Sequence, residues 1–155
     1  AQTAEGMLCP GDYLDNPGRM PRVLLEGNVF EDCPRVLLSS PQPMRVAGND
    51  LRLCGALTLI GGVDYWFESG MVRQALITGN RFSPLGKPHP AMEIRVNGGG
   101  AQRHEHITIT ENRLSGASLL LSAAGARGLT LRGNRSDQGD CEIRLRGCED
   151  VRLDN

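Results

Sequence analysis

"ALITGNRF", residues 75–82, is an alternating stretch that runs into a Gly-Asn pair, and its like recurs along the chain. The others are "VLLEGNVF" (23–30), "MRVAGND" (44–50), "ITITENRL" (107–114), "LTLRGNR" (129–135) and "VRLDN" (151–155). The asparagines fall at 28, 49, 80, 112, 134 and 155, at spacings of 21, 31, 32, 22 and 21 residues, with Gly before four of the six. The basic period is 21–22 residues, and the second and third intervals each carry roughly ten more. After each Asn a further alternating run follows: "RVLLS" (35–39), "ALTLI" (56–60), "MEIRV" (92–96), "SLLLS" (118–122) and "CEIRL" (141–145). Two or three short strands per repeat, with no helical periodicity, mean an all-β chain.

A repeat of this size with one Asn at constant phase describes a single-stranded right-handed parallel β-helix of about five to six coils over residues 22–155. Successive rungs stack at about 4.8 Å. The Asn amide donates and accepts along the stack and tolerates the left-handed conformation that bends the chain; the preceding Gly relieves crowding there. A leucine-rich repeat would require a Leu frame that these stretches lack, and a sandwich would not explain the phase of the Asn. Cys33 and Cys54 each lie five residues after their Asn, so they are expected to stack inside on neighbouring rungs, as free thiols although a bridge is geometrically allowed. The five cysteines, an odd number, show no metal-ligand spacing, so neither a metal nor another cofactor is expected.

With 155 residues the chain has room for one domain with a real core. The net charge is −1 with both signs interspersed and no long basic run, which argues against nucleic-acid and anionic-membrane partners. The longest apolar stretches, such as "CGALTLIGGV" (54–63), fall well short of a bilayer span. The first residues lack the pattern of a signal peptide, and "AQTAEG" reads either as the end left by signal cleavage or as a cut inside a longer protein. Residues 1–21, rich in Pro and Gly, are expected to form a lead-in that caps the first rung. The sequence stops at Asn155, on the ladder residue itself. An open rung there suits either end-to-end self-association or a further β-helical segment.

Lengthened turns carry function in solenoids, and the extra residues here fall at about 61–73 and 83–105. The first insertion, "GGVDYWFESGMVR" (61–73), holds the single Trp, one of two Tyr and one of three Phe in a chain that is only 4% aromatic. The second holds "SPLGKPHP" (83–90) and "NGGGAQRHEH" (97–106) around its strand. The two loops follow the second strand of adjacent rungs and are expected to wall one cleft with Asp64, Trp66, Glu68, His104 and Glu105. An aromatic platform beside carboxylates suits carbohydrate: the C–H face of a sugar packs on Trp66 while Asp64 and Glu68 accept from its hydroxyls. Asp64 and Glu68 are also the candidate catalytic pair for glycoside cleavage. A plainer reading has Trp66 and Phe67 plugging the interior where the loop leaves the shaft, and Glu68 accepting backbone N–H groups in a turn. His104 and His106, two apart on one strand, would serve a metal only with a third ligand. Arg95, Arg132, Arg144 and Arg146 read as a solvated outer face.

"PGDYLDNP" (10–17), "PRVLLEGNVFEDCPRVLLSSPQPMRVAGND" (21–50) and "ALTLIGGVDYWFESGMVRQALITGNRF" (56–82) together resemble the C-terminal half of the β-helical α-1,3-galactosidases. These are glycoside hydrolases of blood-group-B-type and linear α-galactosides. The shared features are a P-G-D…N-P lead-in, a W-F-E-S-G loop and the rung that follows it, over residues 8–97. The resemblance implies exo-hydrolysis of a terminal α-galactose with inversion and without a metal, in a secreted or periplasmic setting. It carries Asp64, Trp66 and Glu68 over as lining residues of the substrate cleft. The family's catalytic aspartates lie upstream of this lead-in, so the segment is not expected to be catalytically competent alone. The alternative is a non-catalytic glycan-binding or structural β-helix.

Overall fold

The computed structural model describes residues 23–39, 42–61, 71–86, 89–96 and 103–154. All regular structure in them is β, and the strands form three parallel sheets. The first sheet stacks Val23–Glu26, Met44–Ala47, Ala75–Thr78, His104–Thr110, Ala126–Arg132 and Arg152–Asp154. The second stacks Val29–Glu31, Asp50–Cys54, Arg81–Pro84, Arg113–Leu114 and Arg135–Ser136, and the third Val36–Leu38, Leu57–Gly61, Met92–Val96, Leu119–Ala124 and Glu142–Arg146. The chain visits the sheets in that order on every turn, which is a parallel β-helix of five coils and the first strand of a sixth among the described residues. The expected lead-in, residues 1–21, lies outside them, as does Asn155.

Each repeat therefore has three strands, because "VLLEGNVF" and its kin each contain two strands separated by a bend at Gly-Asn. Alternation then divides each strand between shaft and solvent. On the first sheet Val46, Ile77, Ile109 and Leu131 form a buried inward column, matched in register coil by coil. Leu51, Phe82 and Leu114 do the same on the second, and Leu59, Ile94 and Ala123 on the third. These columns meet in one continuous core. Among the outward residues, Arg95, Arg132 and Arg144 pair with Glu93, Asp154 and Glu142, at 3.5, 3.8 and 2.6 Å. Together with the exposed Arg146 they form the expected solvated face.

The asparagines line up. Nδ2 of Asn28 donates to Oδ1 of Asn49 at 3.1 Å, and the bonds Asn49→Asn80, Asn80→Asn112 and Asn112→Asn134 are each 2.9 Å. The same Oδ1 atoms accept a second bond, from the backbone N–H of the preceding coil's Asn, at 2.9–3.2 Å. The other Nδ2 proton goes to a strand carbonyl of the coil before, as Asn80 to Val46 at 3.0 Å and Asn112 to Ile77 at 3.0 Å. In Asn80 and Asn112 all four hydrogen-bonding valences of the amide are thus used.

One expectation needs correction. The left-handed residue is the one before the Asn: Gly27, Gly48, Gly79 and Gly133 have φ of 59–65°, and Glu111 stands there at φ 54°. Each of these residues still donates its N–H to a strand carbonyl of the next coil, at 3.0–3.2 Å. The bend carries the following N–H out of the strand direction, so only the next side-chain amide satisfies it. Gly is needed for the bend, and Asn for the orphan donor the bend creates.

The same arrangement recurs with sulfur at the second corner. Asp32 and Leu53 are left-handed, at φ 52° and 51°, and Cys33 and Cys54 follow them into the core. The Cys54 thiol points at the carbonyls of Phe30 and Arg52, at 3.6 and 3.4 Å. Both cysteines are free, as are Cys141 and Cys148. Burial pushes the Cys54 thiol up, so it stays protonated and unreactive.

Two outcomes test this account. Asn80→Asp, which puts acceptors where two donors are required in a buried site, is expected to cost about 3 kcal/mol or more. Asn28→Asp at the exposed end of the ladder should cost much less, and thermal unfolding followed by circular dichroism compares the two. Glu111→Gly should raise the melting temperature, because relief of about 1–2 kcal/mol of left-handed strain exceeds the about 0.5–1 kcal/mol entropic penalty of Gly.

Candidate functional site

The two insertions leave and rejoin the shaft at the same corner of successive coils. Gly61 and Val96 are register partners on the third sheet, and on the first sheet, to which the chain returns, Ala75 and Ile107 are again register partners. Their departure points are thus one interstrand spacing apart, about 4.8 Å. Ten residues inserted at a corner disturb no ladder bond on either side, which is why the shaft accommodates them. Asp64, Trp66 and Glu68 lie outside the described residues; their roots are described.

His104 holds those roots together. It is fully buried. Its Nδ1 lies 3.2 Å from the backbone N–H of Val72, at the end of the first insertion, and its Nε2 lies 2.9 Å from the carbonyl of Arg95, at the start of the second. Because Val72 must donate and Arg95 must accept, the ring carries its proton on Nε2. Backbone bonds brace the same place: Glu105 N–H donates to the Val72 carbonyl at 2.8 Å. Arg103 then reaches across to the Gly147 carbonyl at 2.8 Å and to Glu149 at 3.1 Å.

This corrects two expectations. His104 does not line an open cleft; it is a pin inside the wall, with both nitrogens engaged. Nor do His104 and His106 face the same way. His106 is left-handed at φ 52° and exposed, and it drops out of the pairing between Glu105↔Arg127 and Ile107↔Leu129. That one residue resets the alternation, so His104 and Ile107 both point inward. Gly128 and Asp150, one and two coils on, are left-handed too, at φ 69° and 52°. No group of three or more His, Cys, Asp or Glu able to hold a metal ion occurs among the described residues.

Beside these roots the outer surface of the third sheet carries a polar column that the strand patterns alone did not single out. Thr58 and Glu93 are register partners, and the Thr58 hydroxyl lies 3.2 Å from Glu93 Oε2. The carboxylate sits between two guanidinium groups, Arg95 at 3.5 Å and Arg35 at 3.9 Å. Thr58 is fully buried although its strand position faces outward. The available signal was registration: aligning "ALTLI" with "MEIRV" by their distance from the insertions places Thr58 against Glu93.

Burial holds the His104 imidazole below its ordinary range, against a smaller upward pull from the bond to Arg95. A group whose folded pKa is depressed takes up protons more readily when unfolded, so the stability it confers is complete above the unfolded value of about 6.5. That stability is lost progressively as the pH falls below it. The melting temperature is therefore expected to drop between pH 7.5 and 5.5. A His104→Gln variant, less stable at pH 7.5, should show a flatter profile over that interval in differential scanning calorimetry.

No family model matches the chain, and no solved structure matches it. Two curated relatives do. Alpha-1,3-galactosidase A of Peterkaempfera griseoplana is 30% identical over 141 residues, 85% of this chain and 19% of the relative. Alpha-1,3-galactosidase A of Streptomyces avermitilis is 26% identical over 136 residues, 83% of this chain and 22% of the relative. The chain thus spans about one fifth of the length of the relatives it matches. The alignment extends past the stretch 8–97 that carried the resemblance, into the generic rungs. The chain is thus similar to a segment of the alpha-1,3-galactosidase A proteins.

Proposed function

We propose that this β-helix is the carbohydrate-engaging part of a glycoside hydrolase that removes terminal α-galactose with inversion. The observation that carries the reading is the placement of the insertion roots at register partners Gly61 and Val96, pinned by His104, in a homologue of proteins named alpha-1,3-galactosidase A. Such roots deliver two loops side by side at one corner. In this reading the first loop contributes Trp66 as the platform for the apolar face of galactose, while Asp64 and Glu68 accept from its hydroxyls. Glu93, beside the same roots, adds an outward carboxylate held in place by Arg35 and Arg95.

Chemistry at the glycosidic bond needs a general acid and a general base set about 6.5–9.5 Å apart for inversion. We assign that pair to residues outside this sequence, with Asp64 and Glu68 orienting the sugar. In this reading the segment alone binds galactoside without turning it over, and the activity for which the relatives are named resides in the longer protein. The proposed setting is extracytoplasmic, where polymeric and cell-surface galactosides are met.

Titration calorimetry with an α-1,3-linked galactose disaccharide tests this. Binding by the native chain is expected, with Trp66→Ala lowering the affinity at least about tenfold, the equivalent of roughly 1.4 kcal/mol. An unchanged affinity would remove the first loop from the site. Turnover of a chromogenic α-galactoside by the isolated chain would move the catalytic pair into these 155 residues.

A further inference from the structure

The outer surface of the second sheet carries a column of arginines. Arg81, Arg113 and Arg135 are register partners on three successive coils, each exposed and each one residue after a ladder Asn. Parallel strands place them about 4.8 Å apart. Like charges in register repel and destabilise the pairing, and elsewhere on this surface the problem is solved by acids: Arg45 meets Glu26 at 2.6 Å, Arg127 meets Glu149 at 3.2 Å and Arg144 meets Glu142 at 2.6 Å. Among the described residues, Arg81, Arg113 and Arg135 have no such partner. The nearest carboxylates are already engaged. Asp50, next in the same column, is held by Arg52 at 2.8 Å. Asp137 accepts from Ser115 Oγ and the Gly116 N–H, both at 2.9 Å, and these bonds hold its carboxyl below the usual range.

The column also lines a groove. A concavity of about 500 Å³ is lined by the three arginines together with Ser83, Ser115 and the two engaged carboxylates Asp50 and Asp137. Its length follows the helix axis, so a linear ligand lying in it would meet one guanidinium per coil. The serines and aspartates of the same lining offer hydroxyl and carboxylate groups suited to sugar hydroxyls. The floor residues Phe82 and Leu114 are buried, so the groove has no aromatic face on which a nucleobase could stack, a feature that single-strand binding relies on.

We propose that this groove is a second binding site, for a carboxylate-bearing oligosaccharide whose chain lies along the helix axis, with successive carboxylates forked by Arg81, Arg113 and Arg135. The site lies on a different sheet from the insertion roots and rests on a different observation from the galactoside reading.

The test is titration calorimetry of the native chain at low salt with a hexamer of galacturonic acid, its fully methyl-esterified form, and a hexamer of thymidylate. The acidic hexamer is expected to bind, and the esterified one, which keeps the chain but loses the charges, is not. Arg113→Gln should weaken binding at least about tenfold, Arg113→Lys by less because the charge stays while the fork is lost, and Arg144→Gln, on the third sheet, not at all. Because Arg113 is exposed, circular dichroism should show these variants folded; Arg81→Gln supplies an independent removal of one fork. Trp66→Ala should leave this affinity unchanged, which separates the site from the galactoside cleft. Absence of binding by the acidic hexamer, indifference to Arg113→Gln and Arg81→Gln, or equal affinity for thymidylate would each overturn the proposal.

Discussion

A left-handed residue in a parallel β-helix solves one problem and creates another. It turns the chain from one sheet to the next within two residues, and it leaves the next backbone N–H facing inward, away from any strand carbonyl. Buried and unpaired, that donor would cost about 1–3 kcal/mol on every coil. Here the Asn of the following coil accepts it, and its own Nδ2 protons go to the next Asn and to a carbonyl of the coil before. The amide is the one side-chain group with matched donors and acceptors at this size, so it stacks on itself without limit. At the second corner the side chain after the left-handed residue is instead a buried thiol, which donates to carbonyls of its own and the preceding coil. At the third corner the part-buried Cys148, after the left-handed Gly147, does likewise toward the carbonyls of Ala123 and Arg146, both at 3.7 Å.

This constraint is why the architecture was legible in the sequence. Asn at near-constant phase is a chemical requirement of stacking, and the ladder's sequence separations of 21, 31, 32 and 22 residues match the spacings of the repeats. Cys33 and Cys54 were legible for the same reason. What escaped was local. Asn is itself tolerant of the left-handed region, so sequence alone did not separate the residue that bends from the residue that repairs the bend. His106 escaped because alternation assumes that no residue changes phase, and a single left-handed residue within His104–Thr110 does so. At the candidate site, the two loops were read as following equivalent strands of adjacent rungs, and the last residues of those strands, Gly61 and Val96, are register partners. His104 was misread because a histidine beside a loop suggests chemistry, whereas the buried ring here does the work of a main-chain ladder. The three Asn-Arg pairs were visible in the repeats "GNRF", "ENRL" and "GNRS", but their consequence depends on register and on how the neighbouring acids Asp50 and Asp137 are engaged.

Separation of shaft and loops follows from the same bonding. Each coil is held to its neighbours by backbone ladders on three sheets and by the Asn column, so residues inserted at a corner leave those bonds intact. The geometry at the root is then dictated by the shaft, while the loop itself is free to carry chemistry. His104 strengthens that coupling because it ties the end of one insertion to the start of the next through backbone groups alone.

Register favours some chemistries and penalises others. An amide stacked on an amide gains a hydrogen bond at each coil; a leucine stacked on a leucine gains a dry contact, as the buried column Val46, Ile77, Ile109, Leu131 shows. A guanidinium stacked on a guanidinium gains nothing and pays a repulsion. Most outward arginines of this surface escape that penalty by pairing within their own coil or with the next, as Arg52 with Asp50 and Arg144 with Glu142. Arg81, Arg113 and Arg135 do not, and they repeat with the ladder Asn at the part of the rung where the backbone is most firmly fixed. Three guanidinium groups without an ion-pair partner among the described residues, at a fixed spacing along a groove, form a periodic array, and the complementary object is periodic as well: a polymer with one negative group per residue. Under the two proposals the shaft would recognise a ligand by its repeat, and the insertions by the shape of a single sugar.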